Sequence, residues 1–271
     1  MKIGICDTHF HVFGREGRFP YAEDLRYKPP FAPLEDYLAH ARPLGIGRFV
    51  FVQPSAYGRD NACMLDAMRE LGAEKCRGIV DIDEEAPQDE LERLDRAGVR
   101  GVRINVNPVK PPEPGFSAFL KKRIEKLDSR CAQLGWMLDF LTPGWLTREL
   151  FPVLRRLKAP YSLAHMGLFP AEDGVPRDFV KFALENPSCW VKLSGAYRIS
   201  SAPGFSDAAP LARALIEAAP DRVIWGSDYP HLSFADKAST EALFGLLEAW
   251  APDPAARRRI LVDNPQRCFG F

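Results

Sequence analysis

The chain has 271 residues, 46% of them apolar and 27% charged, a globular balance that excludes disorder as its dominant state. Its 36 lysines and arginines offset 36 aspartates and glutamates, so there is no cationic surplus with which to grip nucleic acid. No stretch approaches the ~18 uncharged apolar residues of a membrane span, and the 24 prolines suit a fold rich in loops.

Short strand-like runs alternate with longer segments of helical period. The sequence predicts strand Ile3–Thr8 and helix Pro33–Leu44, strand Arg48–Gln53 and helix Asp60–Leu71, then strand Cys76–Ile82 and helix Pro87–Ala97. Strand Gly101–Val106 precedes helix Ser117–Leu134, and strand Trp136–Leu141 precedes helix Trp145–Lys158. Strand Tyr161–His165 with helix Arg177–Glu185 and strand Trp190–Ser194 with helix Asp207–Ala218 follow. Strand Arg222–Gly226, helix Ser239–Trp250 and a C-terminal segment at Pro254–Val262 complete the series. The helices rest on apolar spacings of three and four, as at Leu211, Leu215 and Ala218 or Leu243, Leu246, Leu247 and Trp250. Gly72, Gly98 and Gly135 stand where helices end, and Asp60 and Asp207 are expected N-caps. Strand interiors such as FVFV and RVIW are almost continuously apolar, as in parallel strands buried on both faces.

Eight strands alternating with eight helices match a (β/α)8 TIM barrel, an α/β fold in which residues 1–271 form one domain; a doubly wound open sheet is the alternative. The six cysteines (Cys6, Cys63, Cys76, Cys131, Cys189, Cys268) show no CxxC pair and read as small buried hydrophobes in a reducing, cytoplasmic compartment. The start MKIGICDTHFHVFG breaks its apolar run at Asp7 and is not a secretory signal. Oligomeric state is left open, a homodimer included.

In such barrels the chemistry lies where strands end at the C-terminal rim. The first strand ends in Asp7-Thr8-His9-Phe10-His11, whose two histidines point to the same side, ~6.5–7 Å apart on an extended strand. The second ends in Gln53-Pro54-Ser55, a polar turn open to loop capping or substrate contact. The fourth carries Arg103 and Asn105 on one face; a buried guanidinium needs either a protein carboxylate or a substrate carboxylate. The sixth supplies His165, and the seventh Lys192 and Ser194, with Tyr197 and Arg198 just beyond. Lys192 is expected to neutralise a core carboxylate such as Asp81. The eighth ends in Trp225-Gly226-Ser227-Asp228-Tyr229-Pro230-His231, where a carboxylate after a buried run is costly unless paired or used. His40 lies in a helix and is expected to be solvated. Three histidines and Asp228 thus share one rim. They suit a divalent metal such as zinc, or metal-free work with Asp228 as general base and the imidazoles polarising a carbonyl.

The runs DTHFHVFG, GVRGVRINV, LAHMG, VKLSGAYR and WGSDYPH, in that order and over essentially the whole chain, resemble the amidohydrolase superfamily. Within it they are similar to the branch of 2-pyrone-4,6-dicarboxylate lactonase and related sugar and muconolactone lactonases. The resemblance implies lactone hydrolysis without a cofactor. Asp228 would deprotonate water and later protonate the leaving ring oxygen, while His9, His11 and His165 stabilise the oxyanion. It also implies substrate contacts at Tyr27, Ser55, Arg103 and Arg198, to which the fourth strand adds Asn105. The chain departs from the branch at three points. Val106-Asn107-Pro108-Val109 stands before Lys110 where relatives carry an earlier basic residue, Leu168 replaces an arginine, and Ala164 replaces an aspartate. Fewer cations favour a monocarboxylate over a dicarboxylate, and the His165 tautomer needs a partner other than residue 164. A binuclear metal centre is not expected, since strand four offers Arg103 and Asn105 and strand five no histidine. A mononuclear site of His9, His11, His165 and Asp228 stays open, which would suit a metal-dependent hydrolase or a non-oxidative decarboxylase of an aromatic acid. A catalytically silent barrel that binds small acids is a third reading. The loops Lys28–Pro33 and Lys110–Pro114 are expected lids over the mouth.

Overall fold

The computed structural model describes residues 4–23, 25, 27–106 and 116–271. Eight strands, β1 (Ile5–Phe10), β2 (Ile46–Val52), β3 (Cys76–Val80), β4 (Val99–Asn105), β5 (Met137–Leu141), β6 (Tyr161–Leu163), β7 (Cys189–Leu193) and β8 (Val223–Trp225), lie in sequential order. Every paired neighbour is parallel. The strands alternate with α1 (Leu34–Ala41), α2 (Ala62–Leu71), α3 (Gln88–Arg96), α4 (Phe116–Leu134), α5 (Gly144–Leu154), α6 (Arg177–Glu185), α7 (Ala209–Ala218) and α8 (Thr240–Trp250). This is the expected (β/α)8 barrel.

The seam between β8 and β1 is closed at the rim. The Thr8 hydroxyl donates to the Trp225 carbonyl at 2.7 Å, Asp228 N–H to the His9 carbonyl at 2.8 Å, and His11 N–H to the Tyr229 carbonyl at 2.9 Å. Gly226 permits this approach: a Cβ there would lie 2.6 Å from the His9 Cβ and 2.9 Å from its backbone nitrogen. The first and last strands are thereby locked together beside the residues of interest.

The strands are buried along almost their whole length, as their apolar runs required. Leu243, Leu247 and Trp250 turn inward on α8, whose start is capped by the Ser239 hydroxyl accepting from Ala242 N–H at 3.2 Å. Inside the barrel, Cys6, Val50, Val52, Ile79, Met137, Ile224 and Phe269 form an apolar plug. The C-terminal segment runs through α9 (Pro254–Arg258), a wide helical turn and α10 (Asn264–Phe269), which brings Phe269 to that plug.

Several boundaries differ from expectation. Strand β3 stops at Val80 because the Asp81 amide leaves the ladder for the Asn61 side chain at 3.1 Å. Strand β6 stops at Leu163, since His165 takes a left-handed backbone (φ 52°) that no strand accommodates. Asn61, not Asp60, stands at the cap of α2; Asp60, one residue earlier, accepts from Ala62 N–H at 2.9 Å. Asp207 instead accepts from the Ser200 hydroxyl in the turn ahead of α7. No helix among the described residues is long and apolar enough to cross a membrane.

Candidate active site

The barrel brings together the four residues picked out by type. The His9 and His11 rings lie 5.1 Å apart and the His9 and His165 rings 4.9 Å apart, between centroids. Asp228 Oδ1 is 3.5 Å from both His9 Nε2 and His11 Nε2, and Asp228 Oδ2 is 3.7 Å from His165 Nε2. All four are buried. Two of them depend on unusual backbone: His165 (φ 52°) and Asp228 (φ 58°) are left-handed, a conformation costing roughly 1–2 kcal/mol for a residue with a Cβ. Each turn follows a barrel strand, β6 or β8, and brings its side chain against His9 of β1.

Each group has a defined partner. Tyr197 O–H and Arg198 Nε both donate to Asp228 Oδ2, the latter at 2.7 Å. His11 Nδ1 is 2.7 Å from the Val52 carbonyl, which only accepts, so in the neutral ring Nδ1 carries the hydrogen and Nε2 the lone pair. His165 Nδ1 is 2.8 Å from the Ser194 hydroxyl, the partner that Ala164 does not provide. His9 Nδ1 is 3.3 Å from Lys192 Nζ. The Asp7 carboxylate accepts from the His9 and Ser227 amides at 3.0 Å each and from Tyr37 O–H at 2.6 Å, tying the two rim loops to one group.

Burial sets most of the titration behaviour. It lowers His9 well below the ordinary histidine value, with Lys192 the next cause. It also lowers His11 and pushes His165 down to about 3. Burial alone would raise Asp228, but the Arg198 guanidinium on its Oδ2 outweighs it and holds that carboxyl well below the usual carboxylate range. At neutral pH the centre is an ionised carboxylate among neutral imidazoles. His9 Nε2, His165 Nε2 and Asp228 Oδ1 have no hydrogen-bond partner among the described residues.

Beside this centre a cavity of about 460 Å³ opens, lined by His11, Tyr27, Pro54, Ser55, Arg103, Asn105, Leu141, Pro143, Leu168, Arg198, Leu232, Ser233 and Phe234. Tyr27, Ser55, Arg103, Asn105 and Arg198 thus all reach its wall. Asp228 lies one contact further in, behind His11 and Arg198. Arg103 is 4% exposed, donates to the Gln53 carbonyl, and keeps Nε without a partner among the described residues. Tyr27 and Ser55 meet through their hydroxyls at 3.4 Å. Of the expected lids, Lys28–Pro33 is pinned near its end by the antiparallel Phe13–Ala32 bridge, and Lys110–Pro114 lies outside the described residues.

Lys192 is paired with Asp139 at 2.6 Å, not with Asp81, which instead takes Arg123 at 2.9 Å. The reason is depth: Asp139 lies within β5 and faces the barrel interior with Lys192, whereas Asp81 follows the end of β3. His40 is half-exposed and pairs with Glu241 at 2.8 Å. Tyr197, Ser194 and Asp139 were not among the expected site residues. Tyr197 was detectable through its neighbour, because a single helical turn (Ala196–Arg198) aims both Tyr197 and Arg198 at one carboxylate.

Donor atoms of His9, His165 and Asp228 lie within 4.8 Å of one another, close enough for a metal. The charge inventory is against one. Arg198 already answers Asp228, the one carboxylate of that cluster, and the Lys192 ammonium stands 3.3 Å from the far nitrogen of His9, so a dication would be uncompensated. The residues do not fit a resident divalent cation, and no step below runs through one.

A barrel whose rim gathers imidazoles and an ionised carboxylate beside a polar cavity defines a hydrolytic (β/α)8 enzyme site. Residues 6–271 match the family model described as Amidohydrolase, and the chain belongs to that family. It is 37% identical over 277 residues to the 4-sulfomuconolactone hydrolase of Hydrogenophaga intermedia, covering 100% of this chain and 90% of that protein. It is 32% identical over 284 residues to the 2-pyrone-4,6-dicarbaxylate hydrolase of Comamonas testosteroni, covering 99% and 91%. The apo crystal structure of an Agrobacterium tumefaciens protein superposes with a TM-score of 0.86 at 28% identity, covering 100% of this chain and 97% of that one.

Proposed function

We propose that the chain is a metal-independent lactone hydrolase that opens the cyclic ester of a small carboxylated molecule. The observation that carries this reading is the unpartnered Oδ1 of a buried, ionised Asp228, set 3.5 Å from two neutral imidazoles at the edge of the cavity. Asp228 Oδ1 and His11 Nε2 are both acceptors, so a water between them gives one hydrogen to each and keeps a lone pair for the substrate carbonyl. Asp228 takes the proton as the carbon–oxygen bond forms. His9 and His165 polarise the carbonyl oxygen as it gains charge. His11, with its lone pair inward, orients the water rather than joining them. On collapse of the tetrahedral intermediate the ring C–O bond breaks, and Asp228 returns its proton to the departing oxygen.

Arg198 is held by Asp228, so among the described cavity residues Arg103 is the cation open to a substrate carboxylate, which it grips as a charge-assisted pair. Leu141, Pro143, Leu168, Leu232 and Phe234 receive the less polar part of the ring. Both named relatives are hydrolases of cyclic esters, which supports the same chemistry here. The test is a panel of pyrones, muconolactones and aldonolactones against the wild type and Asp228→Asn. Turnover is expected with a monocarboxylated lactone and should fall by roughly 10²–10⁴ in the variant. Unchanged turnover in the variant would refute the role of Asp228, and a wild type inactive on every lactone would refute the substrate class.

A further inference from the structure

We propose that Lys192 is a positioning residue whose ammonium, clamped on Asp139, keeps the proton of His9 on Nε2 and so makes that imidazole a hydrogen-bond donor toward the reacting centre. The proposal deepens the lactonase reading and rests on it for the identity of the oxygen that His9 serves. The tautomer itself does not depend on that reading.

Lys192 is fully buried on β7, with Nζ 2.6 Å from Asp139 Oδ1 and 3.3 Å from His9 Nδ1. An ammonium has donors only. The ring nitrogen facing it must therefore present its lone pair, which leaves the single hydrogen of a neutral imidazole on Nε2, the atom 3.5 Å from Asp228 Oδ1. The clamp is itself fixed. Asp139 also accepts from the Ser162 hydroxyl and stands opposite Arg103 in the β4–β5 register. Lys192 and Arg103 offset burial and hold the Asp139 carboxyl below its ordinary value, so the lysine keeps an anionic partner. His11 carries the reverse arrangement, with its hydrogen on Nδ1 against the Val52 carbonyl. Two imidazoles at the end of one strand thus meet the same carboxylate oxygen with opposite polarity, one donating and one accepting. Hydrolysis needs both habits: an acceptor to orient water and a donor to meet the developing oxyanion.

The deciding experiment is nitrogen-15 NMR of the full-length enzyme labelled at histidine, at neutral pH, with His9 assigned by its loss in His9→Asn. The expected spectrum has His9 protonated at Nε2 and bare at Nδ1. A His9 bearing its hydrogen on Nδ1 overturns the proposal, and the deciding spectrum is that of the unaltered protein. A second arm uses the paired substitution Lys192→Met with Asp139→Asn, which removes both charges together. The tautomer should shift to a mixture, and kcat should drop by about tenfold or more with KM changed less than about threefold. A double variant that keeps the wild-type His9 spectrum overturns the proposal. An Nε2-protonated His9 in a protein that opens no lactone would sink the lactonase reading and leave the Lys192 assignment standing.

Discussion

Asp228 is a buried carboxylate kept ionised beside the cavity, and its neighbours explain how. Tyr197 and Arg198 occupy one oxygen, and the other has no hydrogen-bond partner among the described residues. Removing a donor weakens the anion's support, so Tyr197→Phe should raise the Asp228 pKa. A base works only when ionised and its activity is lost as pH falls through its pKa, so the acid limb of kcat/KM should move upward, by about one unit. A pH–rate profile of the variant checks this; a limb in the wild-type position would show that Tyr197 does not act through Asp228. The residue scale was legible by type. The i, i+2 histidines, His165 and Asp228 stood out because each follows a buried run, where imidazole and carboxylate are costly. Tyr197 did not, because a tyrosine after a strand carries no such penalty, and its role comes from where one helical turn points it.

The elements matter through their ends. Strands β6 and β8 are three residues each, and left-handed turns begin within a few residues of both, at His165 and Asp228. The last strand reaches the first only because Gly226 has no side chain. In Gly226→Ala the new methyl would meet backbone and Cβ of His9, neither the tip of a flexible side chain. The seam must open or shift, costing about 1–3 kcal/mol of stability, and Asp228 should move off the imidazoles. Urea denaturation and turnover should both decline. A variant of unchanged stability and rate would mean that the β1–β8 approach is not a constraint on the site.

For the whole molecule, buried neutral imidazoles make the fold acid-sensitive. His165 has a folded pKa of about 3 against an ordinary 6.5, so below pH 6.5 the unfolded chain takes up a proton that the native state refuses. The bound-proton difference favours unfolding as pH falls, by about 2 kcal/mol between pH 6.5 and 5 from this group alone. His9 and His11 act in the same direction. Asp7, pushed up to about 6 by burial, acts in the opposite direction as pH falls below that value, and offsets only part of the loss. Urea midpoints should therefore fall from pH 7 to pH 5, with a shallower slope in His165→Asn. Equal slopes would place the acid sensitivity elsewhere.

The sequence by itself determined the architecture, because alternating apolar runs and helical periods admit few closed solutions, and it marked the strand ends whose histidines and aspartate the barrel brings together. Only the tertiary structure decided which charge answers which. Asp81 and Asp139 are both aspartates at or near the C-terminal ends of barrel strands, and nothing local in the chain distinguishes them as partners for Lys192. Depth within the barrel does, because a carboxylate inside the strand shares the interior with a lysine two strands away, while one past the strand's end meets a helix. The same holds for the protons on His9 and His11: residue type supplies the imidazole, and the group behind each ring, from a distant part of the chain, dictates which nitrogen donates.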